Sequence, residues 1–236
     1  MTKPVIGVLF GGHSGEASVS AKSAANVFEL VDINTYQPYL LELDNSDNWW
    51  LHHDGIKWPI ENNQTRQTGL VFNINEAELK IDLVCNVIHG SPGEDGQLQK
   101  FLDSIQQPYT GSNAAAMAKT FDKEQCNKIL TEHNLPVAQN YIHRGEITLE
   151  IIDDIENKLG PLPYFVKPNS GGSSIASGIA QSEPELFRLI TKALGVDKKV
   201  MIEKFLNGRE FSVGVIEYNN VAQALPITEI ISENAQ

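Results

Sequence analysis

Pro4-Val-Ile-Gly-Val-Leu-Phe10 is an unbroken apolar run, and Gly11-Gly12-His13-Ser14-Gly15-Glu16 follows it at once. A continuous run of this length reads as a strand buried on both faces, as in a parallel sheet. Ala24, Val27, Phe28 and Val31 then recur at helical spacing. Strand, glycine turn, helix is the opening unit of a doubly wound sheet, which binds ligands at the carboxyl ends of its strands. The unit recurs at Ile81–Ile88, which runs into His89-Gly90-Ser91-Pro92-Gly93-Glu94-Asp95-Gly96 and then a helix face of Leu98, Phe101, Leu102 and Ile105. Two polar, glycine-rich turns at strand ends of one sheet predict a shared crevice. The dinucleotide fingerprint GxGxxG is absent after the first strand. Glu16 there either favours the dipole of the helix it precedes or faces a ligand. His89 is either a satisfied structural histidine or part of the crevice.

Between these units Tyr39–Leu43 reads as a strand, and residues 44–80 show less order. Asp54-Gly55 between Trp49–Leu51 and Ile56–Trp58 predicts a hairpin. His52 and His53 beside it read as solvent-facing, since no carboxylate or cysteine pattern supports zinc. Pro108–Gly111 reads as a short edge strand. Composition changes at Ser112, where a small-residue helix begins at Asn113. Further helices are expected from Asp122-Lys123, over Thr148–Leu159 and over Pro184–Leu194. Strands are expected at Val137–Ile142, Tyr164–Val166 and Val200–Leu206. Arg209–Ile216 alternates, so one packed and one open face is expected, with Val221–Ile227 as partner.

Behind Tyr164-Phe165-Val166 comes Lys167-Pro168-Asn169-Ser170-Gly171-Gly172-Ser173-Ser174. Glycine amides approach an anion closely, and a basic root adds charge. This is a phosphate cradle in outline, although not the Walker A pattern; the alternative is a flexible surface loop. The net charge is 18 − 30 = −12, which argues against nucleic acid and against an anionic membrane surface. Any phosphate site must therefore be built from local lysines and amides. Cys85 and Cys126 lack CxxC spacing and read as reduced, structural thiols. No signal peptide or membrane-length apolar run is visible, so a cytoplasmic location is expected.

Five stretches occur in order: Gly11 to Ser20, His89 to Gln99, Phe121-Asp122-Lys123, Val166 to Ser174, and Ile202 to Phe211. Together they resemble the D-alanine–D-alanine ligases, ATP-grasp carboxylate–amine ligases, over essentially the whole chain. The resemblance implies an α/β fold: a doubly wound N-terminal substrate domain (1–111), a central ATP-grasp part (112–202) and the start of a C-terminal part (203–236), incomplete at its end. It implies that Lys123 and Lys167 hold the phosphates of ATP. The loop with Gly172, Ser173 and Ser174 would close over them. Glu203, Lys204, Phe205 and Leu206 would lie at the adenine, and Glu210 at the ribose. Glu16 would bind the ammonium of the first D-alanine, His89 would sit beside it, and Ser173 would hold Glu16 and the loop in register. The implied reaction joins two D-alanines for peptidoglycan precursors, with Mg²⁺ or Mn²⁺, in a cytoplasmic homodimer. The alternatives are a D-alanine–D-lactate or D-alanine–D-serine ligase, or a non-catalytic nucleotide-binding fragment. Ala176 stands where the family has glycine. The family's lid, catalytic arginine and metal ligands would follow Gln236, so no metal ligand is expected within these residues, and they are expected to be inactive alone.

Overall fold

The computed structural model describes residues 2–60, 69–148, 150–172 and 175–231. The first half contains β1 (Val5–Gly11), α1 (Ala17–Leu30), β2 (Gln37–Leu43), β3 (Trp49–His53), β4 (Ile56–Pro59), β5 (Val71–Ile74), β6 (Ala77–Lys80), β7 (Leu83–Asn86) and α2 (Gln97–Ser104). One sheet runs β4-β3-β2-β1-β7, with β1 parallel to both β2 and β7 and the β3–β4 hairpin added antiparallel. Alternation along β1 explains its apolar continuity. Ile6 and Val8 pack with Ala24 of α1, whereas Leu9 joins Leu41, Val84, Leu98 and Leu102 on the α2 side. Each such burial contributes about 1.5–3 kcal/mol. Both faces are covered, and the loops after β1 and β7 emerge side by side at the sheet's carboxyl edge.

The β3–β4 turn places Asp54 at φ 50° and Gly55 at φ 76°, the left-handed pair that a two-residue hairpin of matching twist requires. The β5–β6 hairpin has no glycine signal: its turn uses Asn75 and Glu76 at φ 50° and 68°, which hides it in the sequence. Pro108–Gly111 is not a strand. Only the bridge Val84↔Tyr109 forms; Pro108 has no N–H to extend a ladder, and Gly111 at φ +113° turns the chain away.

The second half contains α3 (Ala114–Phe121), α4 (Lys123–Glu132), β8 (Asn140–Arg144), α5 (Glu150–Leu159), β9 (Tyr164–Pro168), β10 (Gly178–Ala180), α6 (Glu183–Leu194) and β11 (Lys199–Lys204). Leu149, expected in α5, lies outside the described residues. The four strands form an antiparallel sheet, β10-β9-β11-β8. β8 lies later than the expected Val137–Ile142, because β11 pairs with Asn140 to Arg144 residue for residue. Helices α5 and α6 cover one face, where Ile155, Leu186, Ile190, Val166, Val200 and Ile202 are fully buried. Side chains alternate across a strand. Tyr164 and Val166 therefore point into that core, and Phe165 and Lys167 point to the opposite face.

The last strands are β12 (Glu210–Ser212), β13 (Val215–Tyr218), β14 (Val221–Ala224) and β15 (Thr228–Ile230), paired as β12–β15 and β13–β14. The single strand expected over Arg209–Ile216 is broken at Val213-Gly214, where Leu225 N–H donates to the Gly214 carbonyl at 2.8 Å. Its expected packed face is also not seen: Phe211, Val213 and Val215 are all exposed, at 47%, 44% and 67%.

Candidate active site

A cavity of about 870 Å³ opens between the carboxyl edge of the first sheet and the uncovered face of the second. From the first half, His13, Ser14, Gly15, Glu16, Gly90 and Ser91 line it. From the second come Lys123, Phe165, Lys167, the loop 170–172, Asp197 and Glu210.

Glu16 is only 4% exposed and stands at the N-cap of α1. A side chain added at Gly172 would come within 3.1 Å of its Oε2, and one at Gly90 within 3.3 Å. The carboxylate is thus sandwiched between the two halves, under backbone that only glycine leaves open. Ser14 fixes the turn: its Oγ donates to the His89 carbonyl at 2.6 Å and accepts from the Glu16 N–H at 3.2 Å. Ser20 does the same one turn on, accepting from Gly11 N–H and donating to the Val87 carbonyl.

Lys167 and Glu203 are diagonal neighbours on the exposed face of β9 and β11, and their ion pair is 2.7 Å. The Lys123 ammonium donates to the Gly171 carbonyl at 2.8 Å and to that of Asn169 at 3.3 Å. Burial pushes the Lys123 ammonium below its ordinary value and the neighbouring Lys167 adds to this, while Asp197, Glu203 and Asp122 oppose it. Both cations therefore border the glycine loop, as an anion site requires. The root of the loop is held by Asp197, whose carboxylate accepts from Ser170 N–H at 2.7 Å and Lys199 N–H at 3.1 Å.

Other expected residues are placed differently. His89 does not line this cavity; its ring is drawn toward α1 by Ser23, 3.0 Å from Nε2, and faces a smaller cavity of about 430 Å³ with Glu94 and Met117. Lys204 sits on the strand's other face, with Nζ on the Pro161 carbonyl at 2.5 Å. Phe205 is half-buried, and its N–H donates to the Pro163 carbonyl. Leu206 is 68% exposed. Ser173 and Ser174 lie outside the described residues. Ala176 is buried and left-handed, at φ 56°, the conformation that glycine adopts without strain. Asp197, Gly90 and Ser91 form wall that sequence reading did not single out as ligand-facing. For Asp197 the local signal is only that of an ordinary turn to Lys199 N–H, and its bond to the loop at Ser170 comes from another segment.

Asp122 caps α4 by accepting from Gln125 N–H at 3.0 Å and pairs with Lys199 at 3.2 Å. Burial works against its charge, yet the polar Asn169 side chain beside it, with hydrogen bonds from Gln125 and Lys199, holds it well below the usual carboxylate range. A carboxylate depressed by folding stabilises above its unfolded value of 3.8, and that contribution fades as pH falls below it. Asp122→Asn keeps an acceptor for the cap and loses the charge. It should destabilise by about 0.5–1 kcal/mol after solvent screening at neutral pH. Thermal melts should show the difference from the parent narrowing only below the unfolded value. A difference that persists unchanged into acid would exclude the ion pair as its source.

Comparison with known proteins adds to this geometry. The family description "D-ala D-ala ligase N-terminus" matches residues 5–112, and "D-ala D-ala ligase C-terminus" matches residues 119–235. The chain is 35% identical over 232 residues to the D-alanine–D-alanine ligase of Flavobacterium psychrophilum, covering 97% of this chain and 67% of that protein. It is 33% identical over 235 residues to that of Porphyromonas gingivalis, covering 99% and 69%. The solved D-alanine–D-alanine ligase of Coxiella burnetii superposes with a TM-score of 0.86 at 26% identity, covering 97% of this chain and 71% of that one. The chain thus spans a little over two thirds of the length of these relatives.

Proposed function

We propose, since this chain belongs to the D-alanine–D-alanine ligase family, that its cavity joins two D-alanines at the expense of ATP. The chain is that of an ATP-dependent ligase serving peptidoglycan precursor synthesis. D-alanine as second substrate, rather than D-lactate or D-serine, follows the names of relatives at 31–35% identity. A carboxylate does not form an amide readily, because oxide is a poor leaving group. The γ-phosphoryl of ATP passes to the carboxylate of the first D-alanine, giving an acyl phosphate and ADP. The amine of the second attacks the acyl carbon, and phosphate leaves with the bonding pair. Such a reaction asks the protein for positioning and charge stabilisation. The acyl phosphate must also be kept from water.

One observation carries the residue assignment: a buried carboxylate, two lysines and a glycine loop share the wall of a single cavity. In this reading Lys123 and Lys167 hold the nucleotide's phosphates, with the amides of residues 170–172. Glu210, exposed at the mouth, is suited to ribose hydroxyls. The adenine is assigned to the end of β11 and the residues after it: Glu203, which is paired with Lys167, the backbone of Lys204, whose side chain turns to the other face, and Phe205 and Leu206. Glu16 takes the ammonium of the first D-alanine, with Gly90 and Ser91 beside it. His89 acts from behind this wall through its backbone carbonyl on Ser14. Ser173 and Ser174 would add hydroxyl donors to the phosphates, and Ser173 would hold Glu16, on the family resemblance alone. The domain division at 111–112 and 202–203 belongs to the same reading. The first division rests on the two sheets with separate cores; the second falls inside β11, and the separate ribbons begin only at β12.

Mg²⁺ or Mn²⁺ would accompany the nucleotide. Among the described residues no group of three or more His, Cys, Asp or Glu could hold a metal ion, so no step is assigned to one here. A homodimer and a cytoplasmic location are the finer parts of the proposal and rest on the family alone. Among the described residues, no helix is long and apolar enough to cross a membrane.

Glu16→Gln tests the assignment, since it keeps shape and removes charge. A charge-assisted bond to an ammonium contributes about 1.5–3 kcal/mol, so KM for the first D-alanine should rise roughly tenfold to a hundredfold. ATP affinity, measured by calorimetry, should hold. An unchanged D-alanine KM would remove Glu16 from the substrate site.

A further inference from the structure

Asn169 is fully buried directly after β9, and it meets the start of α4. The first N–H groups of a helix have no partner within it. Here the Lys123 N–H donates to the Asn169 backbone carbonyl at 3.1 Å. The Glu124 N–H donates to Asn169 Oδ1 at 2.9 Å. Asp122, the helix's own cap, takes the Gln125 N–H, and the Asn169 amide nitrogen is buried with no hydrogen-bond partner among the described residues. The Asn169 N–H is spent on the Lys199 carbonyl of β11 at 3.0 Å. Two of the three donors at the tip of α4 are thus satisfied from another segment, forty-five residues along the chain.

That segment is the root of the glycine loop, two residues beyond Lys167. We propose that Asn169 is a positioning residue that caps α4 from the loop and so sets where Lys123 stands relative to Lys167, letting both ammoniums meet one nucleotide's phosphates. The inference rests on the reading of this cavity as a nucleotide site. Asn169 touches no phosphate itself; it acts through the helix that carries Lys123. Asparagine suits the task because its short side chain carries an acceptor oxygen that reaches the Glu124 N–H. A hydrophobic residue would leave the Glu124 N–H unpaired in a buried site.

The test compares Asn169→Ala, Asn169→Asp and Lys123→Met, and combines Asn169→Ala with Lys123→Met. ATP affinity is measured by calorimetry, KM for D-alanine by turnover, and folding by thermal melts. Asn169→Ala should weaken ATP binding about tenfold, the scale of one lost positioning hydrogen bond, with the D-alanine KM unchanged. Asn169→Asp retains an acceptor for the Glu124 N–H and should bind ATP more tightly than Asn169→Ala. It also keeps the question open to measurement if the alanine variant fails to fold. In the Lys123→Met background Asn169→Ala should cost nothing further, because residues that act as a unit are not additive. Full additivity, or equal loss in the Ala and Asp variants, would overturn the proposal. If Lys123→Met leaves ATP affinity unchanged, the nucleotide reading itself fails, a result distinct from failure of the cap.

Discussion

Lys167→Ala is expected to weaken ATP binding by at least tenfold and by as much as several hundredfold. The ammonium sits at the root of the glycine loop on the cavity face of β9, and a charge-assisted contact to phosphate contributes about 1.5–3 kcal/mol. The ion pair with Glu203 enlarges the effect. At 2.7 Å, with side chains 22% and 13% exposed, the lysine neutralises a carboxylate that would otherwise face the nucleotide. Alanine removes the phosphate contact and leaves that negative charge uncompensated. Two measurements separate the contributions. Calorimetry on Lys167→Ala gives the whole loss. The double variant Lys167→Ala, Glu203→Gln should recover part of it, since no bare carboxylate remains. Unchanged ATP affinity in the single variant would sink the assignment, and no recovery in the double would show that Glu203 is neutralised by another group.

Gly90→Ala is expected to damage stability and the substrate pocket together. Gly90 stands at φ +73°, where an L-residue pays roughly 1–2 kcal/mol. Its new methyl would lie 2.7 Å from Ser14 Cβ and 2.8 Å from Ser14 Oγ. Ser14 is not free to yield, because it bridges the His89 carbonyl and the Glu16 N–H. Overpacking adds about 1–3 kcal/mol. The melting temperature should fall by about 5–15 °C, taking a few degrees per kcal/mol for a chain of this size. What Ser14 gives up is transmitted to Glu16, so the D-alanine KM should rise more than the ATP KM. A melting temperature within a degree of the parent would mean that the turn accommodates a side chain, and the crowding argument would be wrong.

The sequence made some of this plain. Unbroken apolar runs marked β1 and β9, glycine-rich turns marked where their carboxyl ends open, and Asp54-Gly55 marked a hairpin. Glu16 and Lys167 were singled out by residue type beside such turns, Lys123 by the family resemblance alone, and the three reach one cavity. What stayed hidden depends on pairings between distant segments. The direction of the His89 ring is decided by Ser23, and the lysine under Glu203 by the register of β9 on β11. The cap on α4 comes from Asn169, and nothing within α4's own sequence announces it. The β5–β6 turn escaped because asparagine and glutamate hold the left-handed positions that glycine usually marks. The break at Gly214 escaped because alternation continues through it on paper.

The alternation of β9 between an oily layer under α5 and α6 and an open face over the cavity has a consequence for how the gene can vary in length. Inserting or deleting one codon ahead of Val166 within the strand would rotate every later side chain of the strand by half a turn. Val166 would then line the cavity and the ammonium would be driven into hydrocarbon, so a single frame-preserving indel there would forfeit both core and function. At Gly171, three residues past the strand, no other group lies within 4 Å of an added Cβ, and Asp197 has already anchored the chain at Ser170. Yet the Gly171 carbonyl holds Lys123 and Gly172 lies against Glu16, so the room at Gly171 admits a change of side chain and not of length, and natural length variation should be rare from β9 through Gly172.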